Sequence, residues 1–202
     1  MRRDRERELV RVTRALFDER GLQDAGVDAI ARAAGINRAL IYRSFASKEE
    51  LFVATVIDYL DELTERGRDV HDLRALLDAY TGFCLEYPAF LDCALSLMRR
   101  PATELQAAVS DAVWVRLAQR MAGCLAPLRD AIARAGAEDP DFVANRVYTM
   151  VLGTMHLARL RVGVREAAPG VPAPFPLDPE TVRRACVEDA LRLVGEREPA
   201  TR

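Results

Sequence analysis

Lysine is nearly absent from this chain. Of its 29 basic residues only Lys48 is a lysine, and the rest are arginine. The bias matches codon usage in a GC-rich genome and carries no chemistry by itself, but it makes Lys48 conspicuous. Cysteine is sparse and scattered: Cys84, Cys93, Cys124 and Cys186 form no CxxC pair and meet no clustered histidine, so a structural zinc site is not expected. No apolar run reaches the roughly 18 residues that span a bilayer, and the first ten residues are charged, unlike a signal peptide. The expectation is a soluble cytoplasmic protein with reduced thiols, no membrane contact, no metal and no cofactor. With two distant histidines and no nucleophile motif, nothing assembles an acid–base constellation, and no enzymatic activity is expected. Strand-like alternation, internal repeats and low-complexity tracts are missing as well.

What is present reads as helix, so the expected fold class is all-α. At 202 residues and 50% hydrophobic, the chain is long enough for a sizeable core. Leu9, Thr13, Leu16 and Phe17 share one face of a first helix that stops at Gly21. Short helices follow at about Val27–Ala34 and Arg38–Phe45. Ser47-Lys48-Glu49-Glu50 forms a capping box that opens a longer helix, on which Phe52, Val56, Tyr59 and Leu63 recur. Further helices are expected at about 71–87, 89–99 and 103–135, the last bent or broken near Gly123 and Pro127. Asp139-Pro140 and Asp178-Pro179 each signal a helix start, for helices over 139–163 and 178–195. Between those two lies VREAAPGVPAPFPL, whose four prolines suggest an extended connector.

Charge is uneven. Residues 1–50 hold eleven cations against nine acids, whereas the remainder holds eighteen against twenty-two. Within IARAAGINRALIYRSFASKEEL no acid separates Arg38 from Lys48. Two short helices joined by a tight glycine turn make a helix-turn-helix, whose second helix can lie in a DNA major groove. At about 100° per residue, Ile41 and Phe45 of that helix point inward. Arg43 points away from them, flanked by Ala39 and Leu40, with Arg38 and Tyr42 along one edge and Ser44 along the other. Asn37 suits the N-cap, and Lys48 follows where it can reach a phosphate. A basic helix face is also commonly just a solvated one, and the pattern alone leaves both readings open. Arg2, Arg3, Arg5 and Arg7 read either as a phosphate-following arm before the first helix or as an ordinary solvated terminus.

The run LFDERGLQDAGVDAIARAAGINRALIYRSFASKEEL, with AAGI, LIYRSF and SKEEL in order, resembles the N-terminal domain of TetR-type transcriptional regulators over roughly residues 8–55. The resemblance implies a three-helix DNA-binding head over residues 1–50. A larger helical ligand-binding and dimerisation body would occupy 51–202. The implied function is that of a homodimeric repressor of transcription, released from double-stranded operator DNA by a small molecule. It implies DNA contacts from Asn37, Arg38, Ala39, Leu40, Tyr42, Arg43, Ser44 and Lys48. Departures stand out: Gly26 replaces the usual Thr or Ser at the start of the second helix, Asn37 replaces the commoner Ser, and Arg43-Ser44 replaces an aromatic/His pair, so operator preference is not to be borrowed from a relative.

For the body, Val147, Val151, Thr154 and Ala158 on one helix and Val182, Cys186 and Leu193 on the next are candidates for a dimeric four-helix bundle, or for packing within one chain. Phe83, Tyr87, Trp114, Met121, Tyr148 and His156 are candidates for lining a pocket for a hydrophobic effector, or for plain core. A redox-responsive regulator switched by Cys84 or Cys93, and more remotely an all-α enzyme, are the alternatives.

Overall fold

The structure, a computed structural model, describes residues 2–195. In chain order it comprises α1 (Arg2–Arg20), α2 (Val27–Ala33), α3 (Arg38–Ser44), α4 (Lys48–Gly67), α5 (Leu73–Glu86), α6 (Pro88–Met98), α7 (Ala102–Ala108), α8 (Asp111–Arg134), α9 (Pro140–Leu160), β1 (Val162–Ala168), β2 (Val171–Pro176) and α10 (Pro179–Gly195). The architecture is helical throughout, with one β-hairpin. By packing it forms two compact units. The first joins the residues up to Thr64 with Tyr87–Cys124, and the second joins Glu65–Glu86 with the residues from Leu125 onward. The division at residue 50 expected above is one of role, whereas these units are defined by compactness.

In the first unit, Leu9, Thr13, Leu16 and Phe17 are buried on one side of α1, as the spacing requires, and Ile30, Ala31, Ile41 and Phe45 close the core beneath α2 and α3. α4 is buried along most of its length, including Leu51, Val53, Ile57, Tyr59 and Leu60. Arg14 fixes α1 to it: its guanidinium pairs with Asp58 at 2.8 Å and with Glu62, and lies over the rings of Tyr59 and Tyr87 at 4.3 and 4.9 Å. The Tyr59 hydroxyl donates to Asp18 at 2.6 Å. Burial raises the Asp18 carboxyl above the usual carboxylate range, against the pull of that bond and of Arg14.

Three expectations are corrected. The proposed N-terminal arm is helix, since α1 begins at Arg2, and Arg7 lies 3.9 Å from Asp4 along it. The 103–135 segment breaks at Val109-Ser110, and α8 continues through Pro127. Ser110 starts α8 with its backbone carbonyl, accepting from Trp114 at 3.0 Å. The proline-rich connector is a hairpin. Val162 pairs with Pro176, Gly163 with Phe175, Val164 with Pro174 and Arg165 with Ala173, around a turn in which Gly170 takes φ +75°, the left-handed region that glycine enters without cost. Prolines at every second position of β2 place all their missing N–H groups on one edge, which leaves Ala173 and Phe175 to donate on the other. A strand can therefore form where proline count alone argues against it.

In the second unit, α9 packs along α10, and both meet α5. Asp139 caps α9 by accepting from the Phe142 amide at 3.0 Å, and Asp178 caps α10 by accepting from the Thr181 amide at 2.8 Å. Arg183 ties α10 to α5 through Asp78 at 2.7 Å. Among the described residues no helix is long and apolar enough to cross a membrane.

Candidate nucleic-acid interface

The corner between α2 and α3 is closed by backbone geometry that needs glycine. Gly35 sits at φ +65°, its amide donates to the Arg32 carbonyl at 3.2 Å, and the Ile36 amide reaches back to Ala31 at 3.0 Å. This paired closure satisfies carbonyls that the helix end would otherwise leave open. Asn37 then starts α3 at once, its Oδ1 accepting from the Leu40 amide at 3.0 Å. The break and immediate restart are thus two caps back to back.

α3 is anchored by Ile41, which is wholly buried, and by Phe45. Opposite that anchor, Arg38, Ala39, Tyr42 and Arg43 are exposed, with Leu40 and Ser44 half-buried at the margins and Asn37 exposed at the start. The structure therefore brings the residues chosen from sequence onto one outward face, joined by exposed Lys48 at the head of α4. Their circumstances differ. Arg43 makes no ion pair among the described residues, whereas Arg38 lies 3.3 Å from Asp28 on α2, and Lys48 lies 3.7 Å from Glu49.

Lys48 is positioned by a network broader than the capping box. The Ser47 hydroxyl oxygen accepts from the Glu50 amide at 2.9 Å and its hydrogen goes to the Ala108 carbonyl at 2.7 Å. The buried Glu50 carboxylate accepts from the Ala46 amide at 2.5 Å and from the Ser110 hydroxyl. The α7–α8 corner thereby locks the start of α4. Sequence reasoning found Ser47 and Glu50 but not Ala108 and Ser110, which lie some sixty positions away.

Beside this face the first unit contains a cavity of about 290 Å³ floored by Phe17, Leu22, Ile30 and Leu51, with Lys48 and Arg100 among its lining. Arg100, exposed just past the end of α6, is a second cation in the lining that helical periodicity could not place. Gly26 also lines it, at the N-cap of α2, with φ −69° and ψ 165° and no side-chain cap.

The run over residues 9–55 matches the family model described as bacterial regulatory proteins, tetR family. Residues 9–55 are a tetR-family domain. Over 68 residues the chain is 43% identical to the HTH-type transcriptional repressor KstR2 of Mycobacterium tuberculosis, covering 34% of each chain. Over 90 residues it is 31% identical to the HTH-type transcriptional activator FasR of Mycolicibacterium smegmatis, covering 41% of each. The matches therefore span between a third and a half of these curated relatives. Among solved structures, the TetR family transcriptional regulator PfmR from Thermus thermophilus superposes with a TM-score of 0.59 at 21% identity, covering 91% of this chain and 97% of that one. The ketosteroid transcriptional regulator KstR2 of Mycobacterium tuberculosis gives 0.56 at 21%, covering 95% and 93%. At that identity the likeness is one of fold, and it extends beyond the tetR-family head to the helical body.

The pocket candidates fall in both units. Tyr87, Trp114 and Met121 belong to the first and Phe83, Tyr148 and His156 to the second; none of them lines the 290 Å³ cavity. Phe83 is wholly buried core under the Arg66 guanidinium, 4.9 Å from its ring. His156 differs from the rest: its Nδ1 is buried without a hydrogen-bond partner among the described residues.

The dimer-interface candidates pack within one chain. Val147, Val151, Ala158, Val182 and Cys186 are buried inside a single chain, and Thr154 and Leu193 are half-buried with them. They form the seam between α9 and α10, across which Thr154 hydrogen-bonds Cys186. Amphipathic spacing marks such positions as buried but does not say by which chain. All four cysteines are buried. Burial pushes the Cys93 thiol far up and the Cys186 thiol up to about 11, so both remain protonated and poorly nucleophilic, which removes the physical basis for a redox switch at Cys93.

Proposed function

We propose that this protein is a sequence-specific DNA-binding regulator of transcription that acts as a homodimer, represses by occupying its operator, and is released by a small hydrophobic effector. The observation that carries the reading is the outward face of α3, an acid-free rod with a free Arg43, held on the Ile41–Phe45 anchor and started by Asn37. Arg43 reads base edges in the major groove, where a bidentate contact discriminates by about 1–3 kcal/mol. Arg38, Tyr42, Ser44 and Lys48 hold phosphates and set register, while Ala39 and Leu40 let the helix approach closely.

One seven-residue helix offers too little surface for high specificity, which favours paired heads on half-sites about one DNA turn apart or a multiple of it. The effector belongs to the body, where the buried, unpartnered Nδ1 of His156 supports a polar anchor. Release follows if the effector prefers a conformer whose heads are misplaced for DNA, by the margin of its differential affinity.

Footprinting of the full chain on the intergenic DNA beside its own gene tests the proposal. Two protected half-sites with a two-fold relationship are expected, together with reduced run-off transcription from that promoter. Uniform, sequence-independent retardation of all duplexes would overturn it.

A further inference from the structure

Among the described residues, six of the nine large exposed apolar side chains lie on α9 and the hairpin: Phe142, Leu157, Leu160, Val162, Val164 and Val171. On α9 they belong to one outward stripe, Phe142, Arg146, Thr149, Gly153, Leu157 and Leu160, which recurs every three or four residues on the side away from the α10 seam. The stripe is self-complementary. Thr149 and Gly153 are small and central, the large residues sit at its ends, and Phe142 is 57% exposed. Two copies of α9 crossing antiparallel about this centre would bring Phe142 of each against Leu160 of the other.

The hairpin continues the stripe. Its two faces are unlike. On one, the Phe175 ring covers Gly163, where a Cβ would meet ring carbons at 2.5 Å, and Arg165 lies over Phe175 at 5.8 Å. The other carries Val162, Val164, Pro174 and Pro176, with Val164 74% exposed and no side chain of the described residues laid over it. An isolated two-stranded hairpin is marginal in water, so this bare face calls for a partner. The prolines remove donors from the outer edge of β2, which discourages strand addition there and leaves the face as the contact. Three half-exposed residues of α9 offer roughly 300 Å², against the about 800 Å² per partner of a stable dimer, so the α9 stripe alone is too small.

We propose that the hairpin is a dimerisation arm, whose Val162–Val164–Pro174 face closes over the start of α9 in a second copy of this chain, seating the partner's Phe142. This rests on the homodimer reading above. Phe142 lies at the start of α9 and Val164 on β1, four residues past its end; the rise of about 27 Å from Phe142 to Leu160 prevents a disulfide between the two within one chain.

The test uses the full chain. Wild type is examined by sedimentation across micromolar concentrations, alongside Val164→Glu and the double variant Phe142→Cys with Val164→Cys under mild oxidation. A wild-type dimer, a dissociation constant raised at least ten-fold in Val164→Glu with an unchanged melting curve, and a covalent dimer formed by the double variant but by neither single one are expected. A wild-type dimer with Val164→Glu undisturbed and no covalent dimer overturns the arm and leaves the homodimer standing. A monomeric wild type overturns both.

Discussion

Gly26→Ser should make the protein more stable and should tighten its grip on DNA of every sequence. Gly26 caps α2 at φ −69° and ψ 165°, the extended conformation that an N-cap serine adopts, and a Cβ built there meets nothing within 4 Å. The substitution therefore costs no strain. Restricting the unfolded chain contributes about 0.4–1 kcal/mol, and the new cap adds a few tenths. A total of about 1 kcal/mol corresponds to a rise in Tm of roughly 2–4 °C for a chain of this size. Gly26→Ala is the control, since alanine shares the entropic gain but is a poor cap; the serine variant should exceed it by about 0.5–2 kcal/mol. The hydroxyl would also join Lys48 in the lining of the same cavity, where it can donate to a phosphate. Affinity should rise several-fold without a change in the slope of log affinity against log salt, because no charge is added. Thermal melts and fluorescence-anisotropy titrations at several salt concentrations measure both effects. A serine variant no more stable than the alanine variant would refute the geometry assigned to this cap.

Other consequences follow from the same face. Asp28→Asn releases Arg38 from an exposed pair worth about 0.2–1 kcal/mol and removes a charge that repels phosphate; anisotropy should show tighter binding to all duplexes, and weaker binding would count against an outward, DNA-facing Arg38. Lys48→Ala should weaken binding to all sequences alike and lower the salt slope by about one unit, whereas a loss confined to one sequence would make Lys48 a base reader. Under native conditions near pH 8 the thiols of Cys93 and Cys186 should resist iodoacetamide and react only after unfolding, as followed by mass spectrometry. Their folded pKa values lie above the ordinary thiol value, so thiolate is scarcer in the folded than in the unfolded chain at that pH. Rapid native alkylation with release of DNA would restore the redox alternative.

The head was legible because its signals are local. Gly35 and Asn37 mark a stop and a start within three residues, and the spacing of Ile41 and Phe45 fixes which way Arg43 points. What escaped the sequence depends on partners distant along the chain. The break at Val109-Ser110 has no proline or glycine to announce it, and Ser110 is tied to Glu50, sixty positions earlier. The hairpin was hidden because four prolines suggest an unpaired connector, whereas the alternate spacing of three of them, Pro172, Pro174 and Pro176, is what lets β2 pair. Periodicity identified Val147, Val151 and Cys186 as buried, but only the packing of α9 on α10 shows that their own chain buries them.

The most direct test of the outward α3 rod is the base preference of Arg43→Ala, obtained by selecting bound duplexes from a randomised operator pool at fixed salt beside wild type. The wild-type profile should show strong preference in each half-site, and the variant should lose it at one or two symmetry-related positions while keeping the rest. An unchanged profile would mean that Arg43 does not enter the groove, and the account of how this protein chooses its DNA would be contradicted.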